Sequence, residues 1–274
     1  MKLAILFFLS GLAVLSGRSH LQLETYTKDL QEPPRKKIVV LDTYFNNECK
    51  KDSTGANTRY HYTWDDKKNS GFSKLGELFA SHAALAKNLA SAPTAKNLEN
   101  SDIYIIVDPD TEKEAEKPNY MDPLAARIIT SWVYGGGVLM LMGNDSGNTE
   151  LKRFNLLASA FGIRFNEDRF NPVINNQYQQ GAVMIPRDHH IFKTAKKIFV
   201  KELSTLQVRK PAETVLTKEG KNIMAVAKYG KGMVFVVGDP WLYNEYVDGK
   251  LPPDFENYKA AEDLVEWLLS NTRE

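Results

Sequence analysis

Residues 138–147, VLMLMGNDSG, constrain this chain more than any other stretch. Apolar residues from Val138 to Met142 run straight into Gly143, Asn144, Asp145, Ser146 and Gly147. A run this short and this apolar, closed by glycines, predicts a fully buried strand. A helical pattern follows over residues 149–161. Strand, Gly-bounded turn and helix together have the form of a nucleophile elbow, which lifts its middle residue out at the carboxyl end of a strand. Enzymes of that design place Ser or Cys there, and this chain places Asp145.

The same grammar recurs. Residues 37–42 and 103–107 are short apolar runs, the first ending in Asp42 and the second followed by Asp108, Pro109 and Asp110. Residues 233–237 form another, followed by Gly238, Asp239 and Pro240. Helical patterns lie between them. One opens at Ser73, a short one at Thr94, and one behind Asp122 and Pro123, an N-cap with proline at the first helical position. Gly135, Gly136 and Gly137 stop the last of these. Alternation of this kind predicts an α/β fold, a mostly parallel sheet flanked by helices. The second half adds strands at 181–185, 198–200, 214–216 and 223–228, so the sheet is expected to carry a β-rich C-terminal half. Residues 229–232 read as the turn of a hairpin, and 255–269 as a closing amphipathic helix. Residues 43–72 show no period and are rich in Asn, Tyr and charge. A loop so long inside a compact domain is usually functional or mobile.

The ends and the charge balance bound the class. Residues 1–19 combine a basic start, an apolar run and a small-residue exit, the pattern of a secretory signal peptide. The run is too short to span a bilayer, so no integral membrane segment is expected after cleavage. Residues 20–36 read as an extended arm, and 37–271 as one domain. Cys49 is the only cysteine, which rules out an internal disulfide and fits a Gram-negative periplasm, or secretion, better than a disulfide-stapled module. It sits in a loop with Glu48, Lys50 and Lys51 and no elbow around it. Lys and Arg number 35 against 34 Asp and Glu, with no basic stripe, so nucleic acid is not a predicted partner.

Ligands of open α/β sheets bind outside the carboxyl ends of the strands. Four strand ends carry polar groups here. They are Asp42 with Tyr44 and Asn46, Asp108 with Asp110, Asn144 with Asp145, and Asp239 with Trp241, Tyr243, Asn244 and Glu245. Carboxylates gathered on one rim repel, so one is pushed towards protonation or a cation is shared. Asp145 and Asp239 are the candidate acid and base. Asp42, Tyr44, Trp64, Asp108, Asn144, Trp241, Asn244 and Glu245 are the candidate ligand contacts. The tryptophans offer flat faces to sugar rings and the polar groups bond hydroxyls. No metal-ligand set is legible. Ca²⁺ is the one cofactor the carboxylates would suit. Two plainer readings compete: Asp and Asn cap helices and turns at βα junctions, and the aromatics cover the sheet end as core. His189 and His190 are adjacent, and strand neighbours point to opposite faces, so joint metal ligation is awkward.

Residues 125–147 resemble the elbow region of the class I glutamine amidotransferase-like fold, and residues 233–241 resemble the place where that fold carries its His-Pro-Glu motif. This implies a flavodoxin-like sheet. It also argues against amidotransferase activity, because Asp145 and Asp239 stand where thiol and imidazole are needed. Over roughly residues 36–269 the chain is similar to the non-amidotransferase branch, including trehalose-utilisation-like domains. It particularly resembles a secreted domain found beside, or fused to, unsaturated rhamnogalacturonyl hydrolases of saccharolytic bacteria. That resemblance implies a role in polysaccharide degradation. The expected function is saccharide recognition or accessory work in pectin-type (rhamnogalacturonan) breakdown, with a saccharide or a glycosidase as partner. The alternatives are a glycan hydrolase using Asp145 and Asp239, or a docking module for a glycosidase. Whether the chain is an enzyme stays open at the level of sequence.

Overall fold

A computed structural model describes residues 35–273. Residues 1–34, read above as a signal peptide and most of an arm, therefore lie outside the described residues. The chain enters through β1 (Ile38–Asp42) and makes a small exposed hairpin, β2 (Cys49–Lys51) with β3 (Asn57–Arg59). Helix α1 (Ser73–Ser81), strand β4 (Leu85–Leu89) and short helix α2 (Ala95–Leu98) lead to β5 (Ile103–Val107). Helix α3 (Pro123–Tyr134), strand β6 (Val138–Met142), helix α4 (Leu151–Ala158) and strand β7 (Ile163–Phe165) follow. Then β8 (Ala182–Met184) and β9 (Lys197–Phe199) pair only with each other. Next come β10 (Leu206–Val208), β11 (Glu213–Lys218), β12 (Lys221–Tyr229) and β13 (Gly232–Val237). Helices α5 (Asn244–Val247) and α6 (Asn257–Ser270) close the chain.

The main sheet has nine strands in the order β4-β1-β5-β6-β13-β12-β10-β7, with β11 also on β12. Its first five strands are parallel and the rest antiparallel. The mixed α/β architecture follows from side-chain alternation along the parallel strands. Val39, Leu41, Ile105, Met140 and Phe235 face one way, against Leu75 and Phe79 of α1 and Leu264 and Leu268 of α6. Val40, Tyr104, Ile106, Leu141 and Val236 face the other, against Ile129 of α3 and Phe154 of α4. Both faces are covered, so the strands read as continuous apolar runs.

Strand β4 is the exception. Its LAKNL sequence is exposed except at Leu89 and has no apolar period. Only pairing with β1 makes it a strand, and the sequence pattern predicted none there.

The expected elbow differs as well. Helix α4 begins at Leu151, well beyond Asp145, and is capped by the Glu150 side chain, which accepts the Arg153 amide. Strand and helix are thus not joined by one tight turn. The strand-end residue with left-handed backbone on this edge is Asp108, at φ +46°.

Candidate functional site

The parallel register sets the site. Val107, Met142 and Val237 are level across β5, β6 and β13. The residues after them therefore emerge side by side on one edge, with Asp42 beside them at the end of β1. The Asp108 amide donates to the Met142 carbonyl at 2.9 Å, and the Gly143 amide to the Val237 carbonyl at 2.9 Å, so the ladder continues to the rim. Gly238 is required next: a Cβ there would stand 1.8 Å from the Ser204 carbonyl.

At the centre is Asp108, buried. Its carboxyl accepts Asn144 Nδ2 at 3.0 Å and the Thr149 hydroxyl, and interacts with Tyr62. Burial pushes it up to about 7. On the neighbouring strand end, buried Asp239 accepts the Lys201 amide at 3.2 Å and the Tyr243 hydroxyl at 3.1 Å. Burial pushes it up to about 8, opposed by those hydrogen bonds, with the nearby Asp108 charge adding a smaller upward push. Near neutral pH these two groups hold protons that an exposed aspartate would have lost. Tyr62 and Tyr243, ring centroids 5.7 Å apart, lie over the pair. Burial raises both phenols well above their ordinary range.

Asp145 is on the same edge but differently engaged. It accepts Asn148 Nδ2 at 2.6 Å and pairs with Arg169 Nε at 3.1 Å. Burial raises its carboxyl, while Asn148 and Arg169 hold it down. Arg169 also pairs with Glu202, whose backbone is left-handed. Ser204 Oγ donates to the Asn144 carbonyl at 2.6 Å and completes the rim.

Several candidate ligand contacts are spent on the fold instead. Trp241 is wholly buried and meets Phe192 edge-to-face at 6.0 Å, so it is core and no sugar platform. Trp64 donates Nε1 to the Lys87 carbonyl of β4 at 3.0 Å and packs on Phe72 and Phe79. Asn244 is buried. Its Nδ2 donates to the carbonyls of Asp66 and Lys68 at 2.9 and 2.8 Å and to Ser73 Oγ at 3.0 Å, and its Oδ1 accepts the Lys74 amide at 3.0 Å. It pins the end of the 43–72 loop. Asp42 caps its own turn, accepting the amides of Tyr44 and Phe45 at 3.1 and 2.7 Å and the Tyr104 hydroxyl at 2.5 Å. Burial raises it to about 6. Tyr44 stays half-buried with its carbonyl held by Asn119, and half-buried Glu245 meets the Tyr246 hydroxyl.

His189 is likewise structural: its ring accepts the amides of Ile191 and Phe192 and contacts the Val215 carbonyl at 3.1 Å. Among the described residues, no three His, Cys, Asp or Glu side chains are placed to hold a metal ion, so Ca²⁺ finds no ready ligand set there. Sequence reasoning missed Thr149, Lys201 and Ser204 as site residues, because they reach the rim from irregular segments.

No protein-family model and no curated protein sequence matches the chain. Solved structures do match. The mmIFT52 N-terminal domain superposes with a TM-score of 0.66 at 17% identity, covering 85% of this chain and 98% of that one. The cytoplasmic proteins STM1381 and STM3548 of Salmonella typhimurium superpose with TM-scores of 0.58 and 0.57, each at 15% identity. They cover 86% and 87% of this chain and 100% of their own lengths. These likenesses define the class: an α/β protein built on a mostly parallel sheet flanked by helices. They also correct one expectation. The two Salmonella proteins are described as cytoplasmic, which points away from the periplasmic or secreted location read from residues 1–19. Among the described residues, no helix is long and apolar enough to cross a membrane.

Proposed function

We propose that this protein is a non-amidotransferase member of the class I amidotransferase-like fold, acting as an accessory recognition or docking module in carbohydrate breakdown rather than as a hydrolase. The finer fold assignment draws on strand order. Setting aside the β2–β3 hairpin, the parallel strands run 2-1-3-4-5, the flavodoxin-like order. The rhamnogalacturonan setting, with a glycosidase or its saccharide as partner, rests on the sequence resemblance alone.

The observation that carries the non-catalytic reading is the state of the two candidate carboxylates. Asp145 is committed to Arg169 and Asn148, and Asp239 lies buried against Lys201 and Tyr243. A glycosidase needs both free across a cleft that admits a sugar. An amidotransferase needs a nucleophile that neither position supplies.

The test is a screen of the purified protein against pectin-derived oligosaccharides and a purified unsaturated rhamnogalacturonyl hydrolase, with product analysis and ammonia release from glutamine run in parallel. Saturable binding to a glycan or to the hydrolase, without turnover, is the expected result. Turnover lost in Asp145→Ala or Asp239→Ala would replace this reading with the hydrolase one.

A further inference from the structure

The chain reverses direction between β1 and β5. From β1 it runs through α1 to β4 on one flank, then crosses to β5 on the other. Loops diverge at such a reversal, and the crevice between them is where α/β sheets bind ligands. Here the loops clasp each other: Asn46 Nδ2 donates to the Asp108 carbonyl at 2.9 Å, and the Asp110 amide to the Phe45 carbonyl at 3.0 Å.

Beyond that clasp lie Glu48, Asp110 and Glu114, the first two buried and the third half-buried. Asp110 is 1% exposed. Its Oδ2 accepts the Asn47 amide at 2.8 Å, but its Oδ1 accepts a hydrogen bond from no described residue. Glu48 Oε2 lies 2.6 Å from His61 Nδ1, at ion-pair distance but without hydrogen-bond alignment. Among the described residues, no Lys or Arg forms an ion pair with any of the three carboxylates.

Buried carboxylate oxygens without partners are costly and persist where something answers them. A metal ion is a poor answer, because among the described residues no three His, Cys, Asp or Glu side chains are placed to hold one. An alkylammonium fits better. Its three N–H donors reach separate acceptors and demand no tight coordination sphere. The mouth of the crevice already suits such a group: Lys50 Nζ stands 4.2 Å from the Tyr60 ring centroid, and the Tyr60 ring lies tilted against His61 with centroids 4.1 Å apart. His61 and Tyr62, adjacent and neither a glycine, both hold left-handed backbone, at φ +58° and +45°. Strain of that kind is kept where surroundings impose it, and ligand clamps are a common place.

We propose that the crevice between the β1 and β5 loops binds the primary ammonium group of a ligand through Asp110 and Glu48, with Glu114 adding negative charge and Tyr60 and His61 at its mouth. This site uses neither Asp108 nor Asp239 of the neighbouring rim and stands whether or not the protein recognises a saccharide.

The probes are n-butylammonium, Nα-acetyl-lysine amide and tetramethylammonium, titrated into the full protein at matched ionic strength and followed by NMR. Butylammonium is expected to saturate and to bind at least tenfold more tightly than tetramethylammonium, which has no N–H donor. Equal binding of the lysine amide would assign a partner's lysine side chain as a source, and its exclusion would assign free amines; both support the site. Asp110→Asn, which can still accept the Asn47 amide, and Glu48→Gln should each weaken butylammonium at least tenfold with unchanged melting. Affinity should rise from pH 6 to pH 8, because burial holds Asp110 at about 7 and the groups facing it are Glu48, Glu114, Asp42 and Tyr60, with His61 and Lys50 the bases nearby. No saturation, equal binding of tetramethylammonium, or variants that bind like the parent would overturn the proposal.

Discussion

Asn144 donates its side-chain amide to the Asp108 carboxyl at 3.0 Å, tying the end of β6 to the end of β5. The same side chain accepts the Asp145 amide through its carbonyl oxygen at 2.9 Å. One residue thus holds the strained Asp108 and positions the backbone of Asp145, and its carbonyl is held in turn by Ser204.

Removing that amide should move a titration. Asn144 favours the charged form of Asp108, whose carboxyl stands at about 7 mainly through burial. In Asn144→Ala the Asp108 midpoint should therefore rise, read by carbon NMR of the labelled carboxyl. A midpoint that stays or falls would mean that Thr149 and Tyr62 alone set it.

Asn244 should matter for stability more than for binding. Asn244→Ala leaves the carbonyls of half-buried Asp66 and exposed Lys68 and the Lys74 amide without their partner, a loss of about 1–3 kcal/mol. Urea unfolding measures it, and hydrogen exchange should speed up over residues 60–74. A loss below about 0.5 kcal/mol with unchanged exchange would show that the loop is held elsewhere.

The raised carboxyls predict how stability depends on pH. Asp239 ionises at about 8 when folded, against 3.8 for an ordinary aspartate. Between those values the unfolded chain has released a proton that the folded chain keeps, so stability falls as pH rises, by about 1.4 kcal/mol per pH unit for each such proton. Asp108 and Asp42, at about 7 and about 6, add to the fall over narrower windows. Asp239→Asn removes its share, so its stability relative to the parent should climb from pH 5 to pH 8. A flat difference across that range would show that Asp239 is not held protonated.

Trp241 separates a core residue from a sugar platform. Trp241→Phe should keep whatever glycan binding the parent shows, while Trp241→Ala should cost about 3–5 kcal/mol of stability through the cavity it leaves. A glycan affinity lost in Trp241→Phe with melting unchanged would restore the platform.

Much of the fold was legible because burial on both sheet faces writes itself into composition. Residues 37–42, 103–107, 138–142 and 233–237 had to be strands, since apolar runs that short and that bounded by Gly and Asp have few other uses. The cap of α3 was equally local: Asp122 accepts the Ala125 amide at 2.7 Å, ahead of Pro123. The placing of Asp42, Asp108, Asn144, Asp145 and Asp239 on one edge also followed from the sequence, because parallel strands present their ends together. Strand β4 was illegible because an exposed edge strand needs no apolar pattern, only a neighbour with free backbone groups.

What each rim residue does was decided by tertiary structure alone. A buried aspartate that caps a turn, one that keeps its proton and one that pairs with an arginine are the same letter in the sequence, and Asp42, Asp239 and Asp145 differ only in what the fold brings to them. Trp241 and Asn244 look like ligand contacts in a list of residues, but the core fills around one and the loop closes on the other. Periodicity reports whether a position faces the interior. It carries no information about which distant side chain arrives there, and that arrival sets charge, exposure and chemistry.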